Sequence, residues 1–90
     1  MPVTVQIPTP LRQHTQGEAA VQAAGGTVEA VLGDLGAKYP ALTSRLFDNG
    51  RVRPFINLYL NDEDVRFLDN LATAVKDGDE LAIIPAVAGG

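Results

Sequence analysis

Only one stretch of this chain, residues 27–38, carries a clear helical period. Val28, Val31, Leu32 and Leu35 fall on one stripe of an α-helix, so that helix has a single apolar face to bury. Thr27 is placed to cap it, its hydroxyl accepting from the amides that the first turn leaves free. Glu29 in the first turn and Lys38 in the last complement the helix dipole. Gly33 and Gly36 weaken the helix by up to about 1 kcal/mol each relative to alanine. Tyr39-Pro40 ends it, because the residue before a proline is pushed out of the helical region. A lone one-sided helix in a short chain must lie on something flat and apolar.

The flanking segments supply that surface. Val3, Val5 and Ile7 alternate with Thr4 and Gln6, the period of a half-buried strand, and Pro8 and Pro10 stop it. Residues 11–17 read as a polar loop or turn, and Glu18 to Ala23 as a weaker second strand closed by Gly25-Gly26. Beyond the helix, Leu42, Leu46 and Phe47 anchor a short helical turn, and 48–53 reads as an exposed excursion through Asp48-Asn49-Gly50. Residues 54–60 make the strongest strand. Ile56, Leu58 and Leu60 face the core there, leaving Phe55, Asn57 and Tyr59 on the other face. Asn61 to Asp64 is a hairpin turn into a short strand, Val65-Arg66-Phe67. Leu71 and Val75 suggest a single helical turn. Asp77-Gly78-Asp79 then turns the chain into a last strand, Glu80 to Pro85, with Leu81 and Ile83 inward and Ile84 outward.

The order is β-β-α-β-β-β. It defines an α+β fold of the β-grasp, or ubiquitin-like, type: a mixed sheet of four to five strands packed on one main helix. In this arrangement the first and last strands pair in parallel at the sheet centre, and the last strand delivers its tail at one end. The domain spans 1–85, and 86–90 is a flexible diglycine tail.

Composition narrows the chemistry. There is no cysteine, so disulfides, cysteine metal sites and side-chain thiol chemistry are excluded. The net charge of −4 is uneven: residues 1–45 balance three basic against three acidic side chains, whereas 46–90 carry four basic and eight acidic. Such a field repels phosphate backbones and argues against nucleic acid. It suits either a basic protein surface or simple solubility. Neither a signal peptide nor an apolar run of about 20 residues is visible, so the expectation is a cytoplasmic protein with no membrane partner.

The chain finishes Ala86-Val87-Ala88-Gly89-Gly90. Glycine lacks a Cβ, so two in succession can enter a channel too narrow for side chains. Five extended residues reach roughly 16–18 Å, enough to place a terminal carboxylate deep in another protein. Taken alone, the two glycines fit a frayed end as well.

The run Asn61 through Val65, the Asp77-Gly78-Asp79-Glu80-Leu81 turn, and the end from Ile84 to Gly90 together carry a family likeness. The chain resembles the ThiS/MoaD group of sulfur-carrier proteins over essentially its whole length. The phrases Tyr59 to Phe67 and Leu71 to Val75 look most like the branch that serves cysteine biosynthesis. The resemblance implies a cycle on Gly90. An E1-like adenylyltransferase activates the Gly90 carboxylate with ATP, and a sulfur donor displaces AMP to leave a thiocarboxylate. On a pyridoxal-phosphate-dependent cysteine synthase (a sulfhydrylase) that sulfur then attacks an aminoacrylate formed from an activated serine, the adduct rearranges to a cysteine amide on Gly90, and a metal-dependent peptidase releases the amino acid. ATP, zinc and pyridoxal phosphate belong to those partners, and the free carrier is expected to be a monomer. Alternatives within the likeness are a MoaD-like small subunit of molybdopterin synthase, a thiamin-pathway carrier, and a ubiquitin-like modifier joined through Gly90 to lysines. A β-grasp binding domain with incidental glycines is the remaining alternative.

The expected site residues follow. Gly90 is the attachment point; Val87, Ala88 and Gly89 enter partner active sites; Phe55, Tyr59 and Ile84 form a partner-facing patch, although Tyr59 could equally pack under a loop. No catalytic or metal-ligating set stands out. His14 sits alone among polar residues and reads as surface filler. Asp62, Glu63 and Asp64 lack the spacing and central glycine of a calcium loop and read as a solvated turn. With no paired base and nucleophile, the chain reads as a non-catalytic carrier.

Overall fold

Residues 2–85 are described by a computed structural model. Helix α1 runs Val28–Lys38, and Thr27 caps it by accepting from the Ala30 amide at 3.1 Å. Its predicted stripe, Val28, Val31, Leu32 and Leu35, is buried. Two contacts fasten α1 to the neighbouring strand end. Asp34 Oδ2 accepts from the Ala24 amide at 2.9 Å, and Lys38 Nζ donates to the Gln22 carbonyl at 2.9 Å. At its other end the Val28 amide donates to the Thr73 carbonyl, and the Val75 amide to Gly26.

The stripe lies on a five-stranded sheet formed by β1 (Val3–Gln6), β2 (Ala20–Ala23), β5 (Ile56–Leu60), β6 (Glu63–Asp64) and β7 (Glu80–Pro85). Strands β3 (Phe47–Asp48) and β4 (Arg51–Val52) make a separate small hairpin. The main order is β2-β1-β7-β5-β6. First and last strands pair in parallel, Val5 opposite Leu81, and β7 pairs antiparallel with β5, Leu58 opposite Ile83. Each strand turns alternate residues inward, and Val5, Leu35, Leu42 and Leu81 are completely buried.

The β-grasp expectation holds, and several local expectations change. The short strand at Val65-Arg66-Phe67 is instead a 3₁₀ turn, and the strand is Glu63–Asp64. Asn61 and Asp62 both adopt left-handed backbone, φ 49° and 71°. That is the tight two-residue hairpin geometry, so pairing resumes at once with Leu60 opposite Glu63. Asp64 then caps the 3₁₀ turn by accepting from the Arg66 amide at 2.9 Å. The 48–53 excursion is the β3–β4 hairpin, closed by Asn49 and Gly50 at φ 54° and 78°. The polar loop at 11–17 begins as a 3₁₀ helix over Thr9–His14, with Pro10 in its first turn. The turn under Leu42 and Leu46 is a seven-residue helix, α2 (Pro40–Leu46).

Two glycines carry opposite consequences. A Cβ on Gly25 would lie 2.7 Å from the Val31 backbone nitrogen, whereas one on Gly33, on the exposed face of α1, meets nothing. Gly25→Ala is therefore expected to destabilise by about 1–3 kcal/mol, and Gly33→Ala to stabilise by up to about 1 kcal/mol. Urea unfolding of both variants checks the contrast in sign.

Candidate functional site

Strand β7 is the part of the fold that aims the end of the chain. It is held on both sides, by β1 and β5, and its start is pinned by side chains as well as by the ladder. The Glu80 amide donates to Asn61 Oδ1 at 3.0 Å, and the Asn61 amide donates to the Glu80 carbonyl at 2.8 Å. Asn61 Nδ2 donates to Asp79 Oδ1 at 3.1 Å, and Asp79 Oδ2 accepts from the Lys76 amide at 2.8 Å. These bonds fix the β5–β7 register, because a slip of one residue would exchange Leu81 and Ile83 for Ala82 and Ile84 in the core. From that anchor β7 runs six residues to Pro85, about 17–20 Å along the strand. Gly90, Gly89, Ala88 and Val87 were predicted to be the attachment point and inserting tail; they lie outside the described residues.

The sheet face turned away from α1 is not uniform. Across β2, β1 and the start of β7 it is polar, with Gln22 Nε2 donating to Thr4 Oγ1 and Gln6 Nε2 donating to Glu80 Oε2, both at 3.2 Å. Towards Pro85 it becomes apolar. Ile84 is 44% exposed opposite Asn57, and half-buried Tyr59 stands opposite Ala82, so Tyr59 and Ile84 are diagonal neighbours. Phe55, 48% exposed, lies in the turn before β5. It borders a groove of about 420 Å³ at the same end of the sheet, shared with Leu11, Arg53 and Pro85. Of the three predicted patch residues, Ile84 and Phe55 thus lie at the exit of β7, Phe55 just off the strand rather than on it, and Tyr59 lies farther back on the same face as Ile84.

Charge is distributed by end. Asp62, Asp77 and Asp79 sit in the turns at the start of β7, with Glu63 next to them at the start of β6, whereas Arg45, Arg53 and His14 line the groove beside Pro85. His14 is more than surface filler: its Nε2 is buried without a hydrogen-bond partner. Sequence reasoning also missed Phe67, which is 81% exposed because the 3₁₀ turn rotates it out of any sheet. Among the described residues no cluster of three His, Asp or Glu side chains could hold a metal, and no helix is long and apolar enough to cross a membrane.

A β-grasp domain that packs one main helix on its sheet and sets its last strand in the sheet interior defines a ubiquitin-like protein. The chain belongs to the ThiS family, whose model matches residues 5–90. It is 54% identical over 93 residues to the sulfur carrier protein CysO of Mycobacterium tuberculosis, covering all of both chains. In structure it matches a chain of the Amycolatopsis orientalis BexX/CysO complex with a TM-score of 0.92 and 51% identity, over 98% of this chain and 99% of that one. It is also 45% identical over 64 residues to small archaeal modifier protein 3 of Haloferax volcanii, covering 71% of this chain and 70% of that one.

Three carboxylates that brace the scaffold titrate below their ordinary range. Asp64 is lowered chiefly by the side-chain hydrogen bonds of Arg66, Asp79 by the Lys76 amide and then Asn61, and Asp34 by the Ala24 amide and then Lys38. A depressed folded pKa contributes stability that is full above the unfolded value, near about 3.9 for aspartate, and lost as pH falls through the folded value. Stability is therefore expected to drop on acidification into that window. Asp79→Asn should flatten the acid limb of the stability–pH curve, as measured by urea midpoints across acidic pH.

Proposed function

We propose that this protein is a sulfur carrier, not itself a catalyst, whose cargo rides on the Gly90 carboxylate. The observation that carries the reading is the 54% identity to the sulfur carrier CysO across the full length of both chains. An E1-like adenylyltransferase would join the carboxylate to AMP, with loss of pyrophosphate from ATP. Sulfide equivalent then displaces AMP, leaving a carbonyl bonded to S⁻ at Gly90. The chain contributes no thiol of its own, so no internal cysteine competes in exchange with that sulfur. Gly89 keeps the approach thin, while Val87 and Ala88 contact the walls of the partner's channel. Phe55, Tyr59 and Ile84 form the apolar collar that seats partners around the exit, a placement suited to an exposed apolar patch.

The finer proposal is that the sulfur serves cysteine biosynthesis. In this reading the thiocarboxylate sulfur would add to the Cβ of an aminoacrylate on a pyridoxal-phosphate-dependent cysteine synthase. The resulting thioester would pass its Gly90 acyl group from sulfur to the amino nitrogen, and a metal-dependent peptidase would hydrolyse that Gly90–cysteine amide to free the amino acid. A second reading is a protein modifier linked through Gly90 to lysines, favoured by the match to the Haloferax volcanii modifier protein.

Incubation with the cognate activating enzyme, ATP and a sulfide source is expected to raise the intact mass by the difference between one sulfur and one oxygen. Deleting Gly90 should abolish that gain without moving the thermal midpoint. An unchanged mass under conditions that charge another carrier of the family would overturn the proposal, and Gly90-linked lysine branches in cell extracts would favour the modifier. Ile84→Asp, at an exposed position, should weaken binding to the activating enzyme by about tenfold while leaving stability within about 0.5 kcal/mol, as read by titration calorimetry and urea unfolding.

A further inference from the structure

The second edge of the sheet is left partly open. β6 covers β5 only at Tyr59 and Leu60, after which the chain departs into its 3₁₀ turn. The register shows which backbone groups this exposes. The Asn61 amide bonds to the Glu80 carbonyl, so the hydrogen-bonded pairs between β5 and β7 recur at Tyr59–Ala82 and Asn57–Ile84. The backbone groups of Ile56 and Leu58 therefore point to the outer side. There the Ile56 amide donates to the Arg53 carbonyl, and the Val65 carbonyl, the next one along after β6, accepts from the Leu68 amide as the chain turns away. Among the described residues no strand pairs with β5 beyond Tyr59 on this side, which leaves the Ile56 carbonyl and the Leu58 amide, flanking Asn57, at the edge of the sheet.

They face a groove of about 540 Å³ between β5, the β3–β4 hairpin and the 65–71 segment. Its floor is apolar, with Val52, Val65 and Leu71, and its rim carries Arg51, Arg53 and Arg66. Among the described residues no carboxylate lines it. Residues 46–90 hold only four basic side chains against eight acidic ones, and three of those four converge here. Arg53 donates to the Ser44 carbonyl and Arg66 pairs with Asp64 at 2.7 Å, while Arg51 is exposed.

We propose that this edge binds an extended acidic segment of a partner protein by strand addition. One residue of the incoming segment sits beside Asn57, its amide donating to the Ile56 carbonyl and its carbonyl accepting from the Leu58 amide. Its apolar side chains enter the Val52–Val65–Leu71 floor and its carboxylates meet the arginine rim. An open strand edge supplies directional backbone bonds, and alternate side chains supply selectivity. This contact is independent of the carrier reading, since none of its residues lies in the terminal segment.

The probe is a short capped peptide alternating valine and glutamate, titrated into the full chain and followed by amide NMR and hydrogen exchange. In the free protein the Leu58 amide is expected to exchange faster than those of Asn57 and Tyr59. On peptide addition it should shift and become protected. A valine–lysine peptide should bind at least about tenfold more weakly, and Arg51→Glu, at an exposed hairpin position, should cost the acidic peptide about tenfold. A peptide N-methylated at alternate residues should lose the Leu58 protection. Equal binding of acidic and basic peptides, no change at Leu58, or Leu58 protection that rises with protein concentration alone through pairing of two copies would each overturn the proposal. Deleting Gly90 should leave every one of these readouts unchanged.

Discussion

The parallel pairing of β1 with β7 is the contact on which the rest of the molecule depends. It joins the start of the chain to its last strand, Val5 beside Leu81, and both side chains are fully buried under α1. Parallel neighbours have no hairpin to set their register, so the alignment must come from what each strand buries and from how β7 is entered. Leu81 and Ile83 supply the first, and the Asn61–Asp79–Glu80 bonds supply the second. With β7 enclosed by β1 and β5, the end of the domain is one of its best-anchored parts. Whatever follows Pro85 is therefore attached to a strand that is held on both sides. A tail leaving from an edge strand would start from backbone that frays more readily.

The same centre explains which features were legible in the sequence. The α1 stripe and the alternation in β1, β5 and β7 each pack against that centre, so each shows an undiluted period of its own. At 65–67 the alternation of Val65 and Phe67 was real but misleading. Only Val65 is buried, and the turn geometry at Asn61-Asp62 together with the Asp64–Arg66 clamp decides the backbone there. The β3–β4 hairpin was missed because two residues per strand are too few to display any period.

The candidate site was legible in part for a related reason. Ile84 and Tyr59 could be assigned to the open face because they sit on strands with a clear inward partner set. Phe55 was read as part of the same strand, yet the Arg53–Ile56 turn places it at the sheet's end beside Pro85. Arg51, Arg53 and Arg66 could not be grouped from sequence at all. They belong to a hairpin and a 3₁₀ turn that meet only through tertiary packing, and no local pattern records that meeting. His14 shows the converse. Its polar neighbours in sequence suggested solvent, but the 3₁₀ helix over Thr9–His14 folds it against the groove beside Pro85.

Charge placement bears on how a carrier of this kind would be handled. The net charge is −4, yet the carboxylates of the turns at 61–64 and 77–79 lie at the start of β7, a strand's length from Pro85. The exit instead has Arg45 and Arg53 beside it. In the carrier reading, the terminal carboxylate must approach the phosphates of ATP, and like charges at contact distance repel by about 1 kcal/mol even in bulk water and by several at lower effective dielectric. With a screening length of about 8 Å at physiological salt, carboxylates at the far end of the strand contribute little of that repulsion. The near arginines offset part of the rest. In that reading an acidic protein presents an anionic end-group to an anionic co-substrate because the carboxylates of those two turns sit at the pole that anchors β7 rather than beside Pro85.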